Sequence, residues 1–433
     1  MSRFLIQGGH PLSGELTPTG NKNAALPMLA AALLTDRPVT LRRVPDIADV
    51  RVMCELLAEL GVEISRDGDT VRLHARHVDP DALSPEGCKR IRGSILLAGP
   101  LLARCGRIQL APPGGDVIGR RRLDTHLHGL TEMGAELEMG PERLALSAAA
   151  LRPANLLLDE ASVTATENLV MAAAAIPGET VLYNAACEPH VQDVCRLLQS
   201  MGAEIDGIGT NRLVIRGCEA LGGADVELGA DYIEAASYLT AAAITGGSLR
   251  LKRVHNADVY QVIHRGFARL GCDWEVDGED WVFAGRGAPK VADDLGGAIP
   301  KIEDGIWPAF PSDLMSILLV LATQAGGSVL FFEKLFESRM VWVDRLISMG
   351  ARIVQCDPHR VLVSGPGPLS GSHQTSPDIR AGMALILAAL CAKGESIIEN
   401  AWMIDRGYEK VDERLRSLGA RIERQENTPE ILP

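Results

Sequence analysis

Arg196-Leu197-Leu198-Gln199-Ser200-Met201-Gly202-Ala203-Glu204-Ile205 reads as the end of an amphipathic helix, a Met-Gly stop, one small residue and the start of a strand. The pattern occurs six times, with its glycines at Gly61, Gly134, Gly202, Gly271, Gly350 and Gly419. Successive spacings are 73, 68, 69, 79 and 69 residues, a period near 70. Each glycine fits the position just past a helix C-terminus, where a positive φ is needed and a Cβ would clash. A second series of small, apolar segments interleaves with the first, at residues 23–34, 94–106, 166–178, 234–246, 314–326 and 379–394. Runs such as Ala172 to Ala175 have no polar face, which marks helices surrounded by protein. Each unit therefore reads strand, buried helix, strand, exposed helix, strands. Six such units, each too small to bury its own faces, must share cores. They group as three and three, divided in the glycine-rich stretch 222–229.

Composition bounds the function. A chain of 433 residues exceeds one core, and 46% apolar with 23% charged residues describes a globular protein. A net charge of -13 speaks against broad binding to nucleic acid or an anionic membrane, so any anion must be met locally. Nine scattered cysteines without a C-x-x-C pair read as reduced thiols, with no disulfide or zinc framework. Residues 1–6 lack an apolar signal core and no run reaches the ~18 apolar residues of a span. A cytoplasmic protein without membrane insertion is expected.

A purely structural or binding repeat protein is one reading of this pattern. Unlike charges at the starts of the buried helices count against it: Lys22, Arg92, Asp313, Asp378 and Arg380. Helix N-termini present unpaired N–H groups, so several together would form an anion site with acid and base groups built in. The loop Pro112-Pro113-Gly114-Gly115-Asp116-Val117-Ile118-Gly119, followed by Arg120, Arg121 and Arg122, is either an ordinary surface turn or an acid poised beside an anion. Thr164-Ala165-Thr166-Glu167 matches a capping box, making Thr164 and Glu167 structural. His126 and His128 lie off a common helix face and read as capping or packing groups. Arg120 and Arg122 fit solvated positions as well as ligand contacts.

Seven stretches, in order, resemble the enolpyruvyl transferases over essentially the whole chain: Gly20-Asn21-Lys22-Asn23-Ala24-Ala25-Leu26-Pro27, Arg92-Gly93-Ser94-Ile95, the loop from Pro113 to Gly119, Pro308-Ala309-Phe310-Pro311-Ser312-Asp313, Phe336-Glu337-Ser338-Arg339, Asp378-Ile379-Arg380-Ala381 and Ile404-Asp405-Arg406-Gly407-Tyr408. The resemblance is nearest to the branch whose acceptor is UDP-N-acetylglucosamine. It implies an α/β (α+β) fold of two inside-out α/β barrels, built from six β-α-β-α-β-β units, three per domain. The domains would be 22–229, with the catalytic loop 112–122, and 1–21 plus 230–433, with the active site in the cleft between them. The implied reaction moves the enolpyruvyl group of phosphoenolpyruvate to the sugar 3′-hydroxyl by addition and elimination, releasing phosphate. By motif position Asp116 takes the acid's place, Asp313 the base's, and Lys22 joins them as catalytic. Phosphoenolpyruvate would meet Lys22, Asn23, Arg121, Arg339 and Arg406. The UDP-sugar would meet Asn23, Arg92, Arg121, Arg122, Leu123, Asp124, Thr125, Ser162, Val163, Thr164, Asp313 and Leu335. Asp378 and Arg380 would support the site; they and Arg339 equally fit an ion-pair network. The resemblance implies no cofactor and no metal, and names no protein partner.

The chain departs from the family pattern in places. Most members carry cysteine where this chain has Asp116, so a carboxyl must handle the proton that a thiol handles elsewhere, and the epoxide antibiotic fosfomycin lacks its thiolate target. Leu96, Glu160 and Tyr232 stand where other members often have Trp, Lys and Arg, which touches the nucleotide contacts. Other acceptors, shikimate 3-phosphate or a nucleotide, and an inactive UDP-sugar-binding regulator remain competing readings.

Overall fold

A computed structural model describes residues 2–115, 118–119, 121–285 and 287–426. Twelve helices carry the repeat: α1 (Lys22–Ala31), α2 (Ala48–Glu59), α3 (Ala98–Cys105), α4 (Asp124–Glu132), α5 (Val163–Ala174), α6 (Pro189–Ser200), α7 (Tyr232–Thr245), α8 (Ala257–Ala268), α9 (Met315–Gln324), α10 (Val343–Ser348), α11 (Ile379–Cys391) and α12 (Val411–Ser417). The odd-numbered helices are the buried series, and in α9 every residue from Met315 to Thr323 is buried. Such a helix is held by packing on all sides, and truncating one of its leucines to alanine would cost about 2–5 kcal/mol. The even-numbered helices run into the six repeat glycines, all at positive φ between 79° and 113°. That is the conformation the spacing predicts, and it lets each chain turn from the helix into its edge strand.

The strands form six separate sheets. Five have four strands and one plan: a parallel pair, then two antiparallel neighbours. The sixth, around Arg107–Leu110, has three strands. Among the described residues no parallel partner forms there; the chain ahead of it makes the short helix Pro85–Arg90, whose first turn holds Pro85 and whose cap is Ser84. Proline lacks a backbone N–H and suits a helix's first turn better than a strand, and this unit departs from the expected β-α-β-α-β-β plan.

The chain divides into two compact units, residues 20–115 with 121–229 and residues 2–19 with 118–119 and 230–426. Two equivalent strands are exchanged. Gly14–Leu16 pairs in parallel with Leu249–Leu251, and Ala224–Glu227 with Val39–Arg42, so each leaves its own repeat to complete another. Ser2–Gln7 lies between Glu395–Glu399 and Arg421–Glu426, antiparallel to both. No helix among the described residues is long and apolar enough to cross a membrane.

Candidate active site

In the unit of residues 20–115 and 121–229, the first motif is set by a helix cap. Asn21 Oδ1 accepts hydrogen bonds from the amides of Asn23 (2.8 Å) and Ala24 (3.2 Å), which starts α1 at Lys22. The Lys22 ammonium is buried and lies 2.9 Å from the carboxylate of Asp49, itself buried in the first turn of α2. Asp49 was not expected. An acid in a first helical turn reads as a dipole partner, which hides any second role.

Arg92 opens the turn Arg92–Leu97 and donates through Nη2 to the carbonyls of Arg121 (2.8 Å) and Arg122 (3.1 Å). Burial, with the Arg121 charge beside it, pushes its guanidinium down to about 10. It therefore fixes the segment leading into α4. Arg122 is exposed yet not merely solvated: its Nε donates to Asp124 Oδ2 at 2.8 Å, and its Nη2 lies 3.7 Å from Asp159. The Thr125 hydroxyl donates to Asp159 Oδ1 at 2.5 Å, so Asp159 gathers this cluster without having been expected. Leu123 is half-buried at the entry to α4.

The capping box at Thr164 does not form. Ser162 is the cap of α5, its hydroxyl accepting from the Ala165 amide at 3.4 Å. Val163 is the helix's first residue, and Glu167 is buried with Oε1 meeting no donor, its carboxyl raised well above the usual range by burial and then by Glu188. A glutamate enclosed in protein cannot reach back to the cap. Thr164 Oγ1 instead lies 3.0 Å from His126 Nε2, while Asn168 Nδ2 lies 3.1 Å from His126 Nδ1 and 2.8 Å from the Ile95 carbonyl. The Asn168 amide donates, so His126 Nδ1 accepts and its Nε2–H donates to Thr164. Burial, with the Arg92 charge adding to it, pushes His126 down to about 3, so the ring stays neutral. Its neighbour in sequence reading, His128, takes no part in this chain of bonds.

The other unit holds a second charge cluster. Asp313 sits in the turn Ser312–Leu314 ahead of α9. Its Oδ1 accepts from Arg339 Nη2 and its Oδ2 from Arg380 Nη2, both at 2.9 Å. Both arginine side chains are 6% exposed and the aspartate 27%, so the carboxylate is the accessible member. Burial pulls the Arg380 guanidinium down, but the Asp313 carboxylate, with Tyr408 and Asp231 adding to it, more than offsets this and keeps the group cationic. Asp378 caps α11, accepting through Oδ1 from the amides of Arg380 (2.8 Å) and Ala381 (2.9 Å). Arg406 is buried after the short helix Ala401–Asp405, with Nη1 3.3 Å from the Met403 sulfur. Leu335 is 42% exposed in the loop before Arg339.

Glycine is required where the central loop begins. A Cβ on Gly114 would lie 1.8 Å from the Lys89 carbonyl oxygen, and one on Gly115 2.8 Å from the Arg92 Cβ. Ile118 accepts at its carbonyl from the Ser338 amide at 3.1 Å, beside the Arg339 motif. Asp116 itself lies outside the described residues, as do Val117 and Arg120. Of the departures, Leu96 is buried, Tyr232 is buried with its ring 6.3 Å from Trp307, and Glu160 is raised by burial and then by Asp159. An accessible carboxylate gripped by two fixed guanidinium groups can take a hydroxyl's proton and offer a neighbouring anion bidentate partners. No metal-binding group of three His, Cys, Asp or Glu occurs among the described residues.

The family model EPSP synthase (3-phosphoshikimate 1-carboxyvinyltransferase) matches residues 6–427. A UDP-N-acetylglucosamine 1-carboxyvinyltransferase of Bradyrhizobium diazoefficiens is 52% identical over 423 residues, 98% of either chain. One of Borreliella burgdorferi is 50% identical, covering 98% of this chain and 99% of its own. Among solved structures, the enolpyruvyl transferase NikO from Streptomyces tendae is similar with a TM-score of 0.87, at 25% identity and 98% coverage of both chains. EPSP synthase from Acinetobacter baumannii shares the fold, with a TM-score of 0.73 at 18% identity over 98% of this chain.

Proposed function

The chain belongs to the EPSP synthase family and, within it, with the UDP-N-acetylglucosamine 1-carboxyvinyltransferases, and from that premise we propose that it transfers the enolpyruvyl group of phosphoenolpyruvate to the 3′-hydroxyl of UDP-N-acetylglucosamine. The reaction releases phosphate, opens peptidoglycan synthesis, and belongs in the cytoplasm, where both substrates are made. The observation that carries the reading is Asp313, exposed on one side and held between Arg339 and Arg380. Addition needs a base for the sugar hydroxyl and cations for carboxylate and phosphate, and this cluster offers both.

The roles follow residue by residue. Asp313 takes the hydroxyl proton and holds the sugar, Asp116 protonates the enol carbon, and Lys22 assists at the phosphate. Arg121, Arg339 and Arg406 bind phosphoenolpyruvate with Lys22 and Asn23; planar forks suit its carboxylate and phosphate. Asn23, Arg121, Arg122, Leu123, Asp124, Thr125, Ser162, Val163, Thr164 and Leu335 receive the UDP-sugar, with Arg92 fixing the backbone of residues 121–122. Asp378 and Arg380 serve by fixing α11 and Asp313. The test is mass spectrometry of the nucleotide after incubation with phosphoenolpyruvate. A carboxyvinyl ether on the sugar 3′-oxygen supports the reading; unchanged UDP-N-acetylglucosamine beside consumed phosphoenolpyruvate overturns it.

A further inference from the structure

Behind Asp313 and Arg339 lie two carboxyl groups that none of these roles uses. Strands Lys301–Glu303 and Gly327–Phe332 run in parallel with Glu303 opposite Phe332, so the next residues, Asp304 and Glu333, emerge side by side. Asp304 is 1% exposed and Glu333 0%. As a general scale, two like unit charges ~4 Å apart repel by roughly 4 kcal/mol even at an effective dielectric of 20, and burying each ion costs several kcal/mol more. No cation among the described residues neutralises both. The Lys334 ammonium is directed to Glu303, at 3.8 Å, the His359 ring bonds the Glu333 backbone carbonyl at 2.9 Å, and Arg339 Nε stays 4.0 Å from Glu333 Oε2. The neighbouring Asp313 is negative and engaged by the arginines.

The donors also fall one short. Asp304 Oδ1 accepts from the Lys334 amide at 2.5 Å, but among the described residues no amide, hydroxyl or cation donates to its buried Oδ2. The Glu333 carboxyl meets Asp304 side chain to side chain, and burial followed by that contact raises it well above the usual carboxylate range. A proton on the pair supplies the missing donor, as in other carboxyl pairs that cannot both ionise.

We propose that Glu333 is an un-ionised carboxylic acid sharing its proton with the Asp304 carboxylate, and that this pair positions Asp313 and Arg339. Glu333 accepts from the Ser312 hydroxyl at 2.9 and 3.0 Å, and Ser312 immediately precedes Asp313. It also accepts from the Phe336 amide at 3.2 Å, at the turn that leads to Arg339. One group thus fastens the two segments that carry the proposed base and one phosphoenolpyruvate arginine. Neutrality matters as much as geometry. A second negative charge beneath Arg339 would compete with the substrate for its guanidinium.

The roles of Asp313 and Arg339 rest on the proposed function; the shared proton does not. The test compares wild type, Glu333→Gln and Glu333→Ala. Glutamine copies an un-ionised acid, donating to Asp304 and accepting from Ser312 and Phe336, so Glu333→Gln is expected within about threefold of wild type in kcat and in KM for phosphoenolpyruvate. Glu333→Ala is expected to raise that KM and lower kcat, together on the order of 100-fold in kcat/KM. A merely structural loss would lower the amount of active enzyme and leave KM in place. The infrared difference spectrum of wild type minus Glu333→Gln at neutral pH should contain the carbonyl stretch of an un-ionised acid. Only carboxylate bands in that spectrum, or a folded Glu333→Gln variant as impaired as Glu333→Ala, would overturn the proposal. If wild type itself fails to turn over, the proposed function falls, the positioning role falls with it, and the infrared spectrum still decides the proton.

Discussion

Removing Asp313 should destabilise the protein more than removing either arginine that grips it. Asp313→Ala leaves two guanidinium groups, each with a side chain 6% exposed, facing one another without their shared counter-ion. Stranding one partner of a buried ion pair costs about 3–5 kcal/mol. Arg380→Met behaves differently. It forfeits one charge-assisted hydrogen bond, about 1.5–3 kcal/mol, but also relieves the desolvation of a wholly buried cation, and water can reach the 27% exposed Asp313 in its place. The net change should be ~1 kcal/mol or less. Thermal unfolding reads the difference: at roughly 2–4 °C per kcal/mol for a unit of this size, Asp313→Ala should fall by on the order of 10 °C and Arg380→Met by a few degrees. Inorganic phosphate should restore part of the loss in Asp313→Ala, since an anion binding only the folded form stabilises it by mass action. Equal melting temperatures for the two variants, or no phosphate effect in Asp313→Ala, would show that the cluster is not an anion trap closed by its own carboxylate.

Other outcomes follow from the same physical arguments. In a double-mutant cycle on Lys22 and Asp49, buried 2.9 Å apart, Asp49→Ala and Lys22→Met should each cost about 3 kcal/mol and couple by at least ~1.5 kcal/mol; additivity within ~0.5 kcal/mol would deny the pair. His126 has a folded pKa of about 3, below its unfolded value of about 6.5, so its contribution is complete above pH ~6.5 and lost as pH falls towards 3. The ceiling is on the order of 5 kcal/mol, and a His126→Asn variant should show a flatter acid limb in urea unfolding; an unchanged limb would contradict a neutral buried ring. At Asp116, the proposed acid, Asp116→Cys should move the activity optimum towards higher pH, because a thiol's reference pKa of ~8.5 exceeds a carboxyl's ~3.9, and superimposable pH profiles would contradict this. Wild type should survive fosfomycin with no covalent adduct at Asp116 by mass spectrometry, a carboxylate being the poorer nucleophile, whereas Asp116→Cys should be alkylated.

The repeat was legible because its punctuation is local. Six Leu-Gly or Met-Gly stops need a positive φ, and all six adopt one. The six apolar segments likewise became the buried helices, since a helix without a polar face has only one stable environment. What the sequence concealed depends on partners far along the chain. The repeat pattern could not show the exchange of Gly14–Leu16 for Ala224–Glu227, strands over 200 residues apart with interchangeable patterns; only the family resemblance grouped residues 1–21 with 230–433. The strand missing before Pro85 shows only as a proline among ordinary loop residues. At α5 the box from Thr164 to Glu167 matched the local signature of a cap, but Glu167 is buried and Ser162 caps the helix instead. The candidate site divides the same way. Lys22, Arg92, Asp313, Arg339 and Arg380 stood out as charges at the starts of apolar helices or in a motif. The acids Asp49, Asp159, Asp304 and Glu333, which meet these residues or their neighbours, did not, because an isolated acid has no spacing that announces whom it meets.

The measurement closest to the central claim is phosphate release from phosphoenolpyruvate with UDP-N-acetylglucosamine, UMP or shikimate 3-phosphate as acceptor, in wild type and Asp313→Ala. The account predicts release with the sugar nucleotide alone, and a loss of 100-fold or more in the variant, the usual worth of a positioned proton acceptor. Release with one of the other acceptors instead, or an Asp313→Ala enzyme as fast as wild type, would contradict it.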